Sequence, residues 1–359
     1  MKILFIAPLP PPTTGHSICS VKLYNHLVSE NDVKLVNLSK NNFKNGKFEF
    51  SRFIQVIKIY FYILKYKNKV DVVYFTISQS ILGNIKDLIV YSILYDKLNK
   101  TFIHLHGGAI KNTIFNKHKI LFLLNKYFIK KLKGIIVLGE SHKKIFKSIT
   151  KDNKLIVVKN FYEDCYLSSN ESIVNKFTQE NTKKIKILFL SNMQLEKGYM
   201  HILEAIKLLE SNFLNNFEFH FAGKFDNKYE EEVFLSQIKS KNYIFFHGFV
   251  SGQDKIKLLN MSHILCLPTS FLEGQPVSII EAYASGLVVL APLTGGIIDI
   301  YSHSNGFPIQ TNSFSIFEVL KNIVQNNINL LEIAQYNNKI AINEYKIDKY
   351  LNSLKKTLI

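Results

Sequence analysis

Cysteine is scarce in this sequence, and its spacing argues against two common uses of the residue. The 359 residues contain three cysteines, Cys19, Cys165 and Cys266, with no CxxC pair and no spacing typical of a metal site. An odd number of widely separated thiols does not suggest a disulfide framework. The composition therefore argues against a disulfide-stapled secreted domain and favours a cytoplasmic protein.

Long apolar runs are also missing. The most apolar stretches, such as residues 59–64 and 120–124, are flanked by lysines, and none approaches the roughly 18 residues of a transmembrane helix. The N-terminal run MKILFIAPLPPP is short and meets prolines in place of a small-residue cleavage site, so we interpret it as a first strand and not as a signal peptide. We expect no spanning helix, and a protein that is free in the cytoplasm or bound to a membrane surface.

Acidic residues are in deficit, and the deficit lies in one half of the chain. The sequence has 45 Lys and Arg against 28 Asp and Glu, a formal net charge of +17. Residues 1–180 hold 28 basic and 12 acidic residues, whereas residues 181–359 hold 17 and 16. A basic half attracts anions such as nucleic acid, acidic lipid surfaces or phosphorylated substrates. A biased base composition explains the excess equally well, since the basic residues are lysines with the single exception of Arg52.

Apolar strands and helical patterns alternate along the chain, which is typical of parallel sheets with helices on both faces. The alternation runs from residue 3 to residue 158, stops in the polar stretch 164–184 and restarts at residue 185. We predict an α/β fold of two Rossmann-like, doubly wound domains that face each other across a cleft. The predicted domains are residues 1–165 and 185–343, with a linker at 166–184 and a final segment at 344–359. Ligands of such sheets bind beyond the carboxyl ends of the strands, so the cleft is the expected active site.

Five features follow predicted strands directly, at the position where such ligands bind. Glycines beside helix starts offer backbone N–H groups to anions, a lysine adds positive charge, and glutamates accept hydrogen bonds from hydroxyls. Together these groups suit a diphosphate flanked by hydroxylated rings, as in a nucleotide-sugar, although each alone is also explained by an ordinary loop. The features are Gly15; His106 with Gly107 and Gly108; Lys197 with Gly198; Glu273 with Gly274; and Gly295 with Gly296.

The stretch 268–286, PTSFLEGQPVSIIEAYASG, carries the strongest signal. Pro276 suits the first turn of a helix, where a proline loses no hydrogen bond, and the small apolar residues after it recur at helical spacing. Glu281 lies within that apolar helix. Because a buried, unpaired carboxylate is costly, we expect a ligand to be the partner of Glu281.

Several motifs resemble those of the retaining glycosyltransferases of family 4, which have the GT-B fold. Glu273 and Glu281, with seven residues between them in EGQPVSIIEAYASG, resemble the E-x7-E signature of that family. SNMQLEKG resembles its phosphate-binding loop, APLTGGIIDI its following segment, HLHGG the region of its active-site histidine, and PPPTTGHS its first loop. The resemblance spans nearly the whole chain and is strongest over residues 187–307.

The resemblance implies a role for each matching residue that binds the donor. Lys197 would bind the diphosphate together with the N–H groups of Val277 and Ser278, and it would stabilise the leaving group. Glu281 would accept hydrogen bonds from the ribose. Asn192 stands where the family often has an arginine, so either Asn192 donates hydrogen bonds instead or a lysine elsewhere replaces that cation.

The remaining matches would lie near the reacting end of the donor. Glu273, with Gly274 beside it, would bind hydroxyls of the transferred sugar, and His106 would lie near the anomeric carbon. Gly15 would let the backbone approach the diphosphate, although His16 stands where a second glycine is often seen. The family retains the anomeric configuration, usually by front-face attack assisted by the leaving phosphate, and does not generally need a metal. The sequence has no DxD-like pair, so we expect no metal and no cofactor besides the nucleotide-sugar.

The resemblance and the charge together imply the partners. The donor would be a nucleotide-sugar, and the basic N-terminal half would bind a lipid-linked or oligosaccharide acceptor in surface-polysaccharide synthesis, with no role for nucleic acid. Residues 347–358 would form a helix that returns to the first domain. Residues 114–133 mix lysines with large apolar side chains at helical spacing. They form either a core-packed helix with a solvated face or an interfacial helix on anionic lipid at the inner membrane face.

Two other functions that use the same donor stay open. A nucleotide-sugar epimerase of similar fold would convert the donor without an acceptor, and a non-catalytic sugar-nucleotide-binding protein would bind it without turnover. A Rossmann dehydrogenase is disfavoured, because no GxGxxG follows a predicted strand.

Overall fold

The structure is a computed structural model that describes residues 1–39, 50–178 and 184–359. The strands in these residues are β1 (Lys2–Ala7), β2 (Asp32–Asn37), β3 (Val72–Thr76), β4 (Thr101–Leu105), β5 (Gly134–Val137), β6 (Leu155–Val157), β7 (Ile185–Leu190), β8 (Phe217–Ala222), β9 (Ile244–Phe246), β10 (Ile264–Cys266), β11 (Val288–Ala291) and β12 (Gly306–Pro308). The helices are α1 (Gly15–Val28), α2 (Phe50–Tyr66), α3 (Ile81–Ile93), α4 (Lys119–Ile129), α5 (Glu140–Phe146), α6 (Asn170–Thr178), α7 (Tyr199–Leu208), α8 (Ser211–Leu214), α9 (Lys228–Ile238), α10 (Gly252–Met261), α11 (Val277–Ala284), α12 (Ser313–Gln325), α13 (Leu330–Glu344) and α14 (Ile347–Leu358).

The chain divides into two compact units, and unit 1 is built from three separate pieces of sequence. It consists of Met1–Asn160, Glu273–Gln275 and Asp348–Ile359. Its six strands are all parallel, in the order β2-β1-β3-β4-β5-β6. β3, β4 and β5 are buried along their whole length, as central strands covered by helices on both faces must be.

Three consecutive crossover helices of unit 1 lie on one face of its sheet. From β2 the chain crosses the sheet in one direction, through β3 and β4 to β5, so right-handed crossovers put α2, α3 and α4 on the same face. The connection from β1 to β2 runs the opposite way and puts α1 on the other face. The inward side chains of the three helices join one core with the strands beneath them, among them Ile59, Ile63, Leu88, Tyr91, Phe128 and Ile129.

Unit 2 consists of Phe161–Leu272 and Pro276–Ile347 and repeats the architecture. Its six strands are also parallel, in the order β12-β11-β10-β7-β8-β9. Phenylalanines fill much of its core, including Phe189, Phe217, Phe219, Phe221 and Phe234. Two parallel six-stranded sheets flanked by helices confirm the predicted α/β fold class.

The structure differs from the sequence-based expectation in two segments. The helix expected within residues 114–133 begins only at Lys119, because Ile114 and Phe115 are buried in a separate wide turn, Lys111–Phe115. The stretch expected to be a linker contains α6, whose Ile173 is fully buried and belongs to the contacts of unit 2. A single apolar anchor of this kind produces almost no periodic signal in a polar sequence. The rest of that stretch, residues 179–183, lies outside the described residues.

None of the helices in the described ranges combines the length and the apolar character needed to cross a bilayer.

Candidate active site

His106 follows the last residue of β4 in unit 1 and lies between two other imidazole rings. Its ring centroid is 4.3 Å from that of His16, with the ring planes 25° apart, and 3.9 Å from that of His104. His104 Nδ1 shares a 2.7 Å hydrogen bond with the Tyr74 hydroxyl. The Nε2 atoms of all three histidines are buried, and no hydrogen-bond partner for them lies among the described residues.

Burial keeps these three imidazoles neutral. The pKa of His104 is lowered to about 3 and that of His16 to about 4, chiefly by desolvation, with smaller electrostatic contributions in the same direction from His16 and Lys86, respectively. Desolvation also holds the pKa of His106 well below its usual range, with the neighbouring imidazoles acting in the same direction. A neutral imidazole can donate from one nitrogen and accept at the other, which suits contact with sugar hydroxyls.

Gly15 is the first residue of α1 and is exposed. The helix starts there because Thr14 and Ser17 form a capping box. Thr14 Oγ1 accepts a hydrogen bond from the Ser17 N–H at 3.1 Å, and Ser17 Oγ accepts one from the Thr14 N–H at 2.8 Å. The loop thereby ends in a helix N-terminus whose first turn carries no acidic side chain.

The segment Glu273–Gln275 packs in unit 1, although the residues on both sides of it belong to unit 2. Gln275 Nε2 donates a 2.6 Å hydrogen bond to the Leu138 carbonyl. Asn160 donates to Gln275 twice, from its N–H to Oε1 at 3.0 Å and from Nδ2 to the carbonyl at 2.8 Å. This pairing fixes the backbone of the three residues.

Gly274 brings this segment directly against His106. A Cβ added to Gly274 would lie 2.1 Å from the His106 carbonyl oxygen, so only glycine allows this approach. Glu273, the residue before it, has 9% of its surface exposed. The structure therefore places His106 and Glu273–Gly274 together in unit 1, as neighbours at the end of β4.

In unit 2 the loop after β7 carries Asn192 and Lys197. Asn192 is exposed. Gly198, the next residue after Lys197, has φ of +86°, and a Cβ on it would lie 2.1 Å from the Pro268 carbonyl oxygen. Lys197 Nζ lies 5.0 Å from the centroid of the Phe271 ring. The loop that leads to α11 thus lies beside the loop that carries Lys197.

A backbone hydrogen bond fixes the two loops to each other, since the Ser270 N–H donates to the Glu196 carbonyl at 2.8 Å. Beyond the second loop, α11 begins at Val277 with Pro276 at its N-cap. Val277 and Ser278 supply the first two N–H groups of the helix, in the turn where no intrahelical acceptor exists. Both N–H groups have the orientation that an anion at a helix N-terminus requires.

Glu281 is buried, with 3% of its surface exposed, but its carboxylate has a protein partner. Lys255 of α10 donates to Glu281 Oε1 at 2.7 Å, and Lys255 Nζ also lies 4.7 Å from the Tyr166 ring centroid. Burial raises the pKa of Glu281, and Lys255 opposes that rise. We expected a ligand to be the partner of Glu281 because the carboxylate looked unpaired, and that premise is wrong, since Lys255 pairs with it.

Three residues that shape the candidate site were not predicted as such from the sequence: Lys255, Gln275 and His16. Lys255 lies on a helix whose sequence resembles any amphipathic surface helix, and nothing local connects it with a residue 26 positions later. Gln275 lay within the recognised motif, but its hydrogen bonds go to residues more than 100 positions away. His16 was noted only as a departure from the family's first loop, and its stacking on His106 has no local signal in the sequence.

Metal binding gains no support from the described part of the chain, where no group of three or more His, Cys, Asp or Glu side chains could hold an ion.

Comparison with known proteins finds a family model and relatives that each match part of the chain. Residues 171–340 match the family model for glycosyl transferases group 1. A Campylobacter jejuni enzyme, GalNAc-alpha-(1->4)-GalNAc-alpha-(1->3)-diNAcBac-PP-undecaprenol alpha-1,4-N-acetyl-D-galactosaminyltransferase, is 28% identical over 172 residues, which cover 48% of this chain and 44% of that protein. The chain spans less than half of the length of the curated relatives that it matches.

Solved structures resemble the whole chain. Anabaena Alr3699/HepE in complex with UDP-glucose has a TM-score of 0.74 at 15% identity and covers 100% of this chain and 99% of its own. WaaG, a glycosyltransferase involved in lipopolysaccharide biosynthesis, has a TM-score of 0.67 at 14% identity, with coverage of 99% and 98%. At such identities the likeness shows the fold, and it confirms the GT-B architecture expected from the motifs.

Proposed function

This chain belongs to the glycosyl transferases group 1 family, and from that premise we propose that it transfers a sugar from a nucleotide-sugar to a lipid-linked glycan with retention of anomeric configuration. The observation that carries the proposal is the segment Glu273–Gln275, which glycine and two amide side chains hold directly against His106. A carboxylate and a neutral imidazole at one strand end suit the hydroxyls of a sugar.

The donor's nucleotide diphosphate binds to unit 2 in this proposal. The N–H groups of Val277 and Ser278 and the charge of Lys197 hold the diphosphate, and Asn192 donates a further hydrogen bond to it in place of an arginine. Support comes from the helix start at Val277 and from the loop contacts that fix the backbone beside Lys197. Glu281 accepts hydrogen bonds from the ribose while Lys255 donates to its Oε1 and holds the carboxyl group in place.

The transferred sugar binds at the residues of unit 1. Glu273 accepts hydrogen bonds from its hydroxyls, and His106 and the backbone at Gly274 border the anomeric carbon. Gly15 opens a helix whose N-terminal N–H groups favour negative charge, which supports its role beside the diphosphate. Because His106 is neutral, it orients the sugar through hydrogen bonds and adds no charge.

The reaction needs no oxidant, reductant or co-reactant beyond donor and acceptor. The bond between the anomeric carbon and the diphosphate oxygen breaks, and the acceptor oxygen bonds to that carbon on the same face. The acceptor hydroxyl gives its proton to the departing diphosphate. Lys197 and the first-turn N–H groups of α11 contribute most where the negative charge on the leaving group grows, in the transition state.

A lipid-linked acceptor is the finer part of the proposal. The Campylobacter jejuni relative acts, by its name, on a glycan attached to undecaprenyl diphosphate. The basic excess of the N-terminal half of this chain suits an acceptor that carries a diphosphate.

A direct test combines ligand binding with product analysis. A thermal-shift panel of nucleotides and nucleotide-sugars selects the donor, because a ligand at a hundred times its Kd stabilises the fold by about 2.7 kcal/mol. The selected donor is then incubated with undecaprenyl-diphosphate-linked glycans, and nuclear magnetic resonance reads the anomeric configuration of the product. We expect the donor's configuration to be retained.

Glu273→Gln tests the residue that the proposal relies on most. We expect kcat to fall by about a hundredfold or more, because a charged acceptor of transition-state hydrogen bonds is lost, while the melting temperature stays close to that of the wild type. Glu232→Gln, on the exposed side of α9, is the matched control and should leave kcat unchanged. Epimerised donor without acceptor, or tight donor binding without any turnover, would contradict the proposal in favour of an epimerase or a binding protein.

A further inference from the structure

The outward side of three helices in unit 1 is apolar, although nothing in the described chain covers it. Phe61 of α2 has 64% of its surface exposed, Leu82 of α3 has 81%, and Ile120 of α4 has 75%. Single exposed apolar residues are ordinary on a protein surface, but contiguous groups of them mark interaction sites.

The pattern is clearest on α4, which is apolar on both sides. Asn125, Phe128 and Ile129 face inward and are buried. The outward positions recur at i, i+3, i+4 and i+7, the spacing of one helix face: Ile120, Leu123, Leu124 and Tyr127. A helix that is apolar all round is normally covered on all sides, so the outward stripe of α4 calls for a partner.

The neighbouring helices continue this stripe. α3 contacts both α2 and α4, and all three lie on the same face of the sheet. We call the exposed apolar residues of these helices the outer face: Ile57, Phe61, Tyr62, Leu64, Ile81, Leu82, Ile85, Ile89, Ile120, Leu123, Leu124 and Tyr127.

The outer face is held in one arrangement by polar contacts between its helices. Asn84 of α3 and Asn125 of α4 exchange side-chain hydrogen bonds of 3.1 and 2.8 Å, and both are buried. At the edge, Tyr127 shares a 2.7 Å hydrogen bond with Tyr95, and Lys131 donates to the Tyr95 hydroxyl at 2.7 Å. The surface is therefore formed in advance, so a partner need not pay to order it.

The charge around the outer face is almost entirely positive. Residues 56–133 contain 14 lysines and three acidic residues, and neither α2 nor α4 contains an acidic residue. Of the three, Asp87 is buried and accepts a 2.6 Å hydrogen bond from the Ser78 N–H. Asp96 is paired with Lys67 at 2.6 Å. An apolar surface in a segment with this excess of lysines is complementary to a surface that has an apolar interior and negative charge at its boundary with water.

We propose that the outer face docks on the surface of an anionic lipid bilayer. The apolar side chains enter the boundary between headgroups and acyl chains, and the lysines reach phosphates with their stems along the apolar surface. Tyr62, Tyr95 and Tyr127 suit the same boundary, since a phenol has an apolar body and a polar tip. The inference does not depend on the proposed reaction, because none of these residues is assigned to donor or sugar. For residues 114–133 it combines the two alternatives, since α4 has a core-packed side and its outward side is the proposed interfacial one.

Vesicle flotation tests the proposal on the full chain. The wild-type protein should float with vesicles of phosphatidylcholine mixed with phosphatidylglycerol and stay behind with phosphatidylcholine alone, and salt should weaken the binding. The double variant Ile120→Ser with Leu123→Ser should bind the anionic vesicles roughly tenfold more weakly or worse, because two inserted side chains are lost. The double variant Lys119→Gln with Lys130→Gln should show a similar loss and a weaker dependence on salt.

Matched controls come from unit 2. Tyr229→Ser with Phe314→Ser removes two equally exposed aromatic side chains, and Lys228→Gln with Lys239→Gln removes two exposed charges. Both should bind vesicles as the wild type does. All variants change exposed side chains, and an unchanged melting temperature confirms that each is folded.

Three results would overturn the proposal. The first is a wild-type protein that does not float with anionic vesicles, and the second is an outer-face variant that floats as well as the controls. The third is a wild-type dimer in sedimentation that the outer-face variants dissociate without any vesicle binding, which would make this face a contact between two copies of the chain.

Discussion

The neutrality of three neighbouring imidazoles is the main property of unit 1 at the scale of single residues. His106 is enclosed by His16 and His104, and Tyr74 supports the stack from β3. Protonating any one of them would create a buried positive charge that has no counter-ion in this cluster. This cost explains why the pKa of each imidazole is low. The stack therefore presents hydrogen-bonding groups of fixed orientation.

This burial predicts a pH dependence of stability. His104 has a folded-state pKa of about 3, below the ordinary value of 6.5, so between those values the unfolded chain binds a proton that the folded chain does not. Stability from His104 is fully present above about pH 6.5 and is lost as the pH falls towards about 3. Denaturant unfolding at about pH 7 and about pH 5 should differ, with His104 contributing on the order of 1–2 kcal/mol of the decrease.

The matching variant is His104→Gln, which cannot titrate. It should be less stable than the wild type at neutral pH, yet lose less stability on acidification. His303→Gln changes an exposed histidine and should leave the pH dependence as it is. An equal acid-induced loss in wild type and His104→Gln would show that this histidine is not the source.

At the scale of elements, α10 and α11 of unit 2 are joined by a largely buried ion pair. The Lys255 side chain is 15% exposed and the Glu281 side chain 4% exposed, and the pair spans 2.7 Å. Taking both groups out of water is costly, so the pair contributes mainly because each charge needs the other. The pair also holds Glu281 in one orientation at the proposed ribose contact.

Lys255→Met should therefore destabilise the fold by roughly 2–4 kcal/mol, because it leaves Glu281 buried and unpaired, with protonation of Glu281 limiting the cost. Lys255→Met with Glu281→Gln should recover part of the loss, and denaturant unfolding of the four proteins in the cycle measures the coupling. The exposed pair Lys228–Glu232 on α9 serves as control, where Lys228→Met should cost less than about 0.5 kcal/mol. Additive losses in the buried pair would contradict this account.

At the scale of the whole molecule, unit 1 combines segments from both sides of unit 2 in the sequence. α14 comes after almost all of unit 2 in the sequence and packs in unit 1 through Tyr350, Leu354 and Leu358, all of them buried. Lys355 forms an ion pair with Glu30, beyond the end of α1. Unit 1 thus takes part of its core from a segment that follows unit 2 in the sequence.

Leu354→Ala should destabilise unit 1 by about 2–4 kcal/mol through the cavity that it leaves. Hydrogen exchange read by mass spectrometry can locate the effect, which should be faster exchange in β1 and β3 of unit 1. Ser353→Ala, on the exposed side of the same helix, should change stability by less than about 0.5 kcal/mol. Faster exchange in β7 and β8 instead would place the packing of α14 elsewhere.

Local sequence patterns were sufficient to predict the two-sheet architecture. Strands such as β3 and β7 are apolar runs between turn residues, and helices such as α11 follow from proline and small-residue spacing, so two parallel sheets could be predicted from residues near each other in sequence. The wide turn at Lys111–Phe115 and α6 could not, because each depends on one or two side chains that are buried by distant parts of the chain.

The candidate site divides in the same way. That Gly15, His106, Lys197 and Glu273 follow strands could be predicted from the sequence, because apolar runs followed by turn residues mark where strands end. Three features required the folded chain: Gln275 anchors its segment in unit 1, Lys255 partners Glu281, and one side of α4 is left exposed. The physical reason is that a side chain's partner depends on how whole elements pack, and residues 26 or more than 100 positions apart leave no shared pattern in the sequence.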